Sequence, residues 1–367
     1  MAAIRVRPLL FAACFVAANA AAQTYRVVDL ATLAQGYATV VRGPNSAGEG
    51  SGGGILDSAQ GTRRGRRALL FEINGPRQVA EPAESDSAVV FGLNDTGGYV
   101  GSFSTQTGVH AFAGTRAGAA RELPPLGGDS SSAAYALNNR GQAVGFSSGA
   151  GGQRAVMWDA NGTPTALPGS PDMSRSRATG INERGDVSGV RSTAAGQRPI
   201  LWGAGRTPAE LTLLAGHTTG EANAINARGD VVGYSADASG ARRATLWPWS
   251  GGVVDLGTLP GGEFSQAFGS NGVGDIVGAS TSTVGSRAVL WTRGGVHDLN
   301  SLIAPSTFVL TKAVGITAGG MIIAIGHVPA AGHHAGAGQG SGAHEHDVDE
   351  HDLPVRVFLL VRSGGTP

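Results

Sequence analysis

The chain is short of several things, and each shortage excludes a class of protein. Cys14 is the only cysteine among 367 residues, so no intramolecular disulfide can form. Charge of one sign is missing too: 27 basic and 27 acidic residues cancel. A general nucleic-acid binder needs a basic face to displace counterions, so none is expected here. No segment reaches roughly 18 uninterrupted apolar residues, so no membrane span is expected. The 60 glycines show no every-third period, which excludes a collagen-like fibre and leaves turns and crowded strands as their use. A 41% hydrophobic content is ample for a buried core.

What is present begins with a leader. Arg5 and Arg7 precede the short apolar core "PLLFAACFVAA", and "ANAAAQ" offers small-residue cleavage sites after Ala20 or Ala22. Residues 1–22 are read as a signal peptide and 23–367 as one exported domain, periplasmic or extracellular. The apolar core before Cys14 is too short to favour a lipoprotein. Cys14 leaves with the leader, so the mature chain carries no thiol.

The domain repeats itself. "AINARGDVVGYS" at 224–235 returns as "ALNNRGQAVGFS" at 136–147, "GINERGDVSGVR" at 180–191 and "FGLNDTGGYVGSFS" at 91–104. The common turn is Asn-x-x-Gly, then three residues, then Gly or Ala. Its Asn stands at 45, 94, 138, 182, 226 and 271, and the position degrades to Thr317, at spacings of 49, 44, 44, 44, 45 and 46. A second motif, a basic residue opening an apolar strand, recurs from Arg67 ("RALLF") through Arg243 ("RATLW") to Arg356 ("RVFLL"). A third, "DLGTLPGGEFSQA" at 255–267, has cousins at 122–134 and 298–308.

Seven units result, each read as four strands, with the Asn-x-x-Gly turn closing a hairpin on a glycine of positive φ. Four strands in about 44 residues is the size of a propeller blade. The last unit lacks a fourth strand, and "TYRVVDLATL" at 24–33 supplies one. Asp29 precedes Asn45 by 16 residues, as Asp255 precedes Asn271. The expected fold is therefore all-β: a seven-bladed β-propeller whose ring is closed by the N-terminal strand completing the last blade, which removes exposed edges.

These motifs resemble the HAF-repeat family of bacterial proteins regarded as extracellular. The resemblance covers essentially the whole mature chain, strongly at 122–299 and more weakly at both ends; "HAF" itself stands at 110–112. It implies export and a β-rich repeat, and it brings no activity and no catalytic residue.

Other motifs tempt. "GFSSG" at 145–149 imitates a nucleophile elbow, but that elbow needs a strand-to-helix turn and this is a repeat strand. "RGD" at 184–186 and 228–230 is the turn glycine with its neighbours. Trp158, Trp202, Trp247 and Trp291 recur once per unit and read as packing between blades rather than as a sugar platform; Trp249 is out of register and reads as exposed.

One segment breaks the pattern. Thr317 and Arg356 are 39 residues apart where 16 is usual, the insertion runs over 329–352, and six of the nine histidines lie at 327–351. His333, His334, His344, His346, Asp347, Asp349 and His351 are candidate ligands for Zn, Cu or Ni, since imidazole and carboxylate suit these ions. Their spacing fits no fixed metalloenzyme pattern. The first unit carries an expanded connection of the same class, with Arg63, Arg64, Arg66 and Arg67. Ring closure makes the two units neighbours, so a basic cluster and a His/Asp-rich loop are expected on one face as a surface for a ligand or partner.

The functional expectation is a non-catalytic exported propeller, read as a monomer, binding a protein or polysaccharide on this loop face. The alternative is a hydrolase or lyase acting on extracellular polymers at the propeller centre. Outside the His-rich segment, no departure from the repeat stands out as a set of acids, bases or ligands converging on that centre.

Overall fold

The computed structural model describes residues 25–30, 36–56, 65–169, 175–205, 208–328 and 356–364. They form seven four-stranded antiparallel sheets. The first strands are Gly36–Arg42, Ser87–Leu93, Asp129–Leu137, Ser176–Ile181, His217–Ile225, Ser265–Ser270 and Val309–Ile316. Each touches the first strands of both neighbouring blades, and that of blade seven reaches that of blade one, so the seven line an axis. In blade seven the order runs Val309–Ile316, Ile322–His327, Arg356–Arg362 and then Tyr25–Asp29. The N-terminal strand therefore closes the ring in the register the sequence predicted, with Val27 opposite Leu360. The one helical turn among the described residues is a 3-10 turn, Leu299–Leu302, and none of their helices is long and apolar enough to cross a membrane.

The repeated turn explains why the ring holds together. Its glycine adopts a φ between +75° and +99° in all seven blades, a region open to residues without a Cβ. The turn residue is buried in every blade, and its polar atoms are consumed. At Asn182, Oδ1 accepts the N–H groups of Arg184 and Asp186, and Nδ2 donates to the Asp186 carboxylate. The second Nδ2 hydrogen goes to the backbone carbonyl of Asn226, one blade on, at 3.3 Å. Six such stitches run round the molecule in one direction, from Asn45 to Asn94 and finally from Asn271 to Thr317. Aspartate could not donate there. Thr317 starts no stitch, and blade seven instead meets blade one through glycine: a Cβ on Gly315 would come within 2.6 Å of the Gly43 Cα.

A second repeated pairing fixes the outer strands. In six blades the basic residue opening the third strand meets an acid on or near the outer edge of its own blade, as Arg243 meets Asp255 at 3.5 Å and Arg287 meets Asp298 at 3.7 Å. In blade three Arg154 turns instead to Asp129, at the start of the first strand. His110 meets Glu122 in the same relation, and Arg356 meets Asp29. The core lies between blades, as where Val232 and Ala244 of blade five pack with Ala267, Ile276 and Trp291 of blade six.

Candidate functional site

The axis is lined by the first strands, whose repeat breaks at two positions. Counting back from the turn residue, the fourth position is alanine or valine in all seven blades and is always buried. The positions on either side of it diverge. The third reads Arg42, Phe91, Tyr135, Thr179, Asn223, Phe268 and Val314; the fifth reads Val40, Val89, Ala133, Arg177, Glu221, Gln266 and Lys312. The arginines, the lysine, the carboxylate, the amides and the aromatic rings among them are all half-buried, as side chains beside an axial channel would be.

The backbone aims them. In blades two to seven the third position falls at a register shift, as between Ala134 and Ala136 or Ala222 and Ala224, so its side chain leaves the ladder. Accommodating the first strand explains the glycine of "VVGYS": a Cβ on Gly233 would lie 1.9 Å from the Glu221 carbonyl oxygen, and one on Gly145 1.9 Å from that of Ala133. A residue that looked like strand punctuation thus makes room for the bulged strand that lines the axis.

Contacts run sideways from blade to blade. The Arg42 guanidinium lies over Phe91 with its Cζ 5.6 Å from the ring centre, and Phe91 meets Tyr135 at 5.2 Å between centroids. Arg177 pairs with Glu221 at 2.6 Å. Burial opposes the Arg177 charge, but Glu221 and the nearby Tyr135 and Tyr234 outweigh it and hold the guanidinium pKa above its ordinary value. Asn223 Nδ2 donates to the Ala267 carbonyl at 2.7 Å, and Lys312 Nζ sits 4.2 Å from the centre of the Phe268 ring. These two positions carry three cations against one carboxylate. The sequence reading passed over this set. Its signal was available as two divergent positions flanking an invariant small one.

The loop-face residues divide. His333, His334, His344, His346, Asp347, Asp349 and His351 lie outside the described residues, as do Arg63 and Arg64. Both expanded connections do join a second to a third strand, between Leu56 and Arg66 and between His327 and Arg356. Their feet are close: Ile325 and Val357 of blade seven share a core cluster with Ala38 and Leu69 of blade one. Arg66 opens its strand and gives its N–H to Ser87 Oγ. Arg67 is spent within its own blade, in an ion pair with Glu81 at 3.0 Å with both side chains largely covered. It belongs to the basic-residue series described above. Among the described residues, no three His, Cys, Asp or Glu side chains converge as a metal site.

The tempting motifs resolve as architecture. Ser147 is fully buried within a strand; its Oγ accepts the Leu126 N–H and donates to Asp129. Ser235 and Ser280 accept from Leu214 and Leu259 in the same way. The aspartate of each RGD bonds the turn asparagine, Asp186 to Asn182 and Asp230 to Asn226. Trp158, Trp202 and Trp247 are buried and donate Nε1–H to the carbonyls of Pro124, Pro168 and Thr212, near the outer strand of the preceding blade. Trp249 is 56% exposed, beneath the Arg184 guanidinium. A cleft of about 370 Å³ between blades two and three is lined in part by Arg121, Arg140 and Asp159, and Arg121 is occupied with the carbonyls of Ala160 and Asn161.

No family model matches the chain. No curated protein sequence matches it either. Solved structures do. The β-propeller domain of the trilobed protease from Pyrococcus furiosus, described as having an open velcro topology, aligns with a TM-score of 0.52 at 8% identity, covering 80% of this chain and 90% of that one. TolB from Acinetobacter baumannii aligns with a TM-score of 0.46 at 11% identity, over 71% of this chain and 63% of that one. Pyrococcus horikoshii acylaminoacyl peptidase aligns with a TM-score of 0.47 at 12% identity, over 79% of this chain and 49% of that one. Identities this low speak for the fold alone. This chain is a β-propeller. Unlike the trilobed protease domain, as it is described, it is closed by its N-terminal strand.

Proposed function

We propose that this protein is an exported, non-catalytic propeller of the HAF-repeat kind that captures a protein or polysaccharide on the face bearing its two expanded connections. In this reading the 329–352 segment supplies a Zn, Cu or Ni site through His333, His334, His344, His346, Asp347, Asp349 and His351. The carrying observation is that both departures from unit length fall on the same class of connection, in the two blades that meet at the closure. Export rests on the leader-like residues 1–22.

A polymer-acting hydrolase or lyase at the centre is the competing reading. Glycoside hydrolysis generally uses two carboxyl groups across the scissile bond. The two inner positions hold a single carboxylate, Glu221, already paired with Arg177. That favours binding over turnover.

The test is a Zn²⁺, Cu²⁺ and Ni²⁺ titration of the full chain beside a version lacking 331–352. Stoichiometric binding confined to the full chain supports the metal-bearing loop face. Equal binding by both versions, or none, refutes it.

A further inference from the structure

We propose that the axial channel is a binding site for a carboxylated saccharide, free or at the end of a polymer. The ligand class follows from what the first strands present. Arg42 has no carboxylate partner among the described residues; its planar fork lies over Phe91 and suits a carboxylate in bidentate geometry. Lys312, over Phe268, adds a second cation from blade seven, next to blade one in the ring. Glu221 is matched by Arg177, so the two inner positions together keep an excess of positive charge.

The remaining groups call for more than a bare anion. Phe91 and Tyr135 meet at 57°, and Tyr135 meets Phe146 at 5.9 Å, giving a run of rings of the kind that accepts the C–H face of a sugar. Asn223 gives an Nδ2 hydrogen to Ala267 and keeps its Oδ1 as an acceptor, while Gln266 receives Arg242 on Oε1 and keeps Nε2 as a donor. Acceptor and donor on adjacent blades suit hydroxyl groups. Cation, ring and amide together match a uronic acid better than a phosphate, which offers no face to stack, or a neutral sugar, which leaves Arg42 unmatched. This site stands apart from the loop-face metal reading, and it survives if that reading fails.

The experiment is isothermal titration of the full chain with a galacturonate trisaccharide, the neutral galactose trisaccharide and inorganic phosphate. The acidic sugar is expected to bind at least about tenfold more tightly than either comparator, with the Arg42→Gln variant weakened by about tenfold or more. Lys312→Gln is a second variant, expected to weaken binding by a smaller factor. It stands in should Arg42→Gln not fold, as read from its thermal transition. Trp249→Ala, outside the channel, and the version lacking 331–352 are expected to bind as the parent does. No binding of the acidic sugar, equal binding of the neutral sugar or phosphate, or undiminished affinity in folded Arg42→Gln and Lys312→Gln would each overturn the proposal.

Discussion

Arg356 and Asp29 form an ion pair across 327 positions of sequence, and the pair repeats the relation that Arg243 bears to Asp255 within blade five. The closing strand is therefore held as an ordinary fourth strand, by ladder bonds, by its buried Tyr25 and by this outer pair.

Because both side chains of that pair are about a third exposed, the pair itself contributes little. Asp29→Asn is expected to cost no more than about 1 kcal/mol by urea unfolding. Removing residues 25–30 is different, since Tyr25 and Leu30 are buried and the Arg356–Arg362 strand becomes an edge. That variant is expected to lose several kcal/mol, on the order of two buried side chains plus a ladder, and to associate on sizing columns.

The asparagine stitch predicts an asymmetric cost. Asn182→Ala orphans the N–H groups of Arg184 and Asp186, each worth about 1–3 kcal/mol when left unpaired away from water, and leaves the Asn226 carbonyl with the Gly229 N–H alone. Thr317→Asn adds a buried amide donor at the end of the series, where no successor blade takes its hydrogen, and a loss of about 1 kcal/mol is expected. Equilibrium unfolding of both variants checks the pair, and a neutral Asn182→Ala would refute the stitch.

Gly233→Ala places a methyl group against the Glu221 carbonyl, and backbone must move to admit it. A loss of about 3 kcal/mol or more is expected, at the upper end for overpacking. Gly272→Ala, where a Cβ meets nothing, serves as the control and is expected to change stability by less than about 0.5 kcal/mol.

Acid should loosen the turns. Burial by itself would raise the Asp186 pKa, but Asn182, the Ala204 N–H and Arg184 outweigh it and hold the carboxyl below its ordinary value; Asp95, bonded by Ser46 and Asn139, behaves alike. A carboxylate depressed in the folded state gives stability that is fully present above its unfolded pKa and lost as pH falls through the folded one. Unfolding free energy is thus expected to hold above about pH 5 and to decline below about pH 4, with a shallower decline in Asp186→Asn.

Much of this was legible in the sequence, for identifiable reasons. Blade number came from the turn asparagines, which recur because each needs the next. Closure could be read from Asp29, because its partner series was visible in Asp255. Burial of the four recurrent tryptophans and exposure of Trp249 followed from register alone. The channel was not legible in the same way. Tyr135 and Asn223 look like lapses in a repeat until the bulge is seen to turn them out of the ladder, and a bulge is a matter of pairing between strands. Arg67 shows a second limit: the sequence sets it in a basic cluster, and its ion pair with Glu81, 14 residues on, depends on the fold.

The one-way stitch also sets a rule for counting. A blade whose turn begins with asparagine requires a successor to receive its amide hydrogen, so an array ending on such a blade would leave a buried donor without a taker. Threonine makes no such demand. Thr317 accepts the Met321 N–H on its own hydroxyl and offers nothing onward. It acts as a terminator: a seventh copy carrying it can stand last, and a chain that gained or lost an internal unit would still end cleanly as long as this residue came at the end.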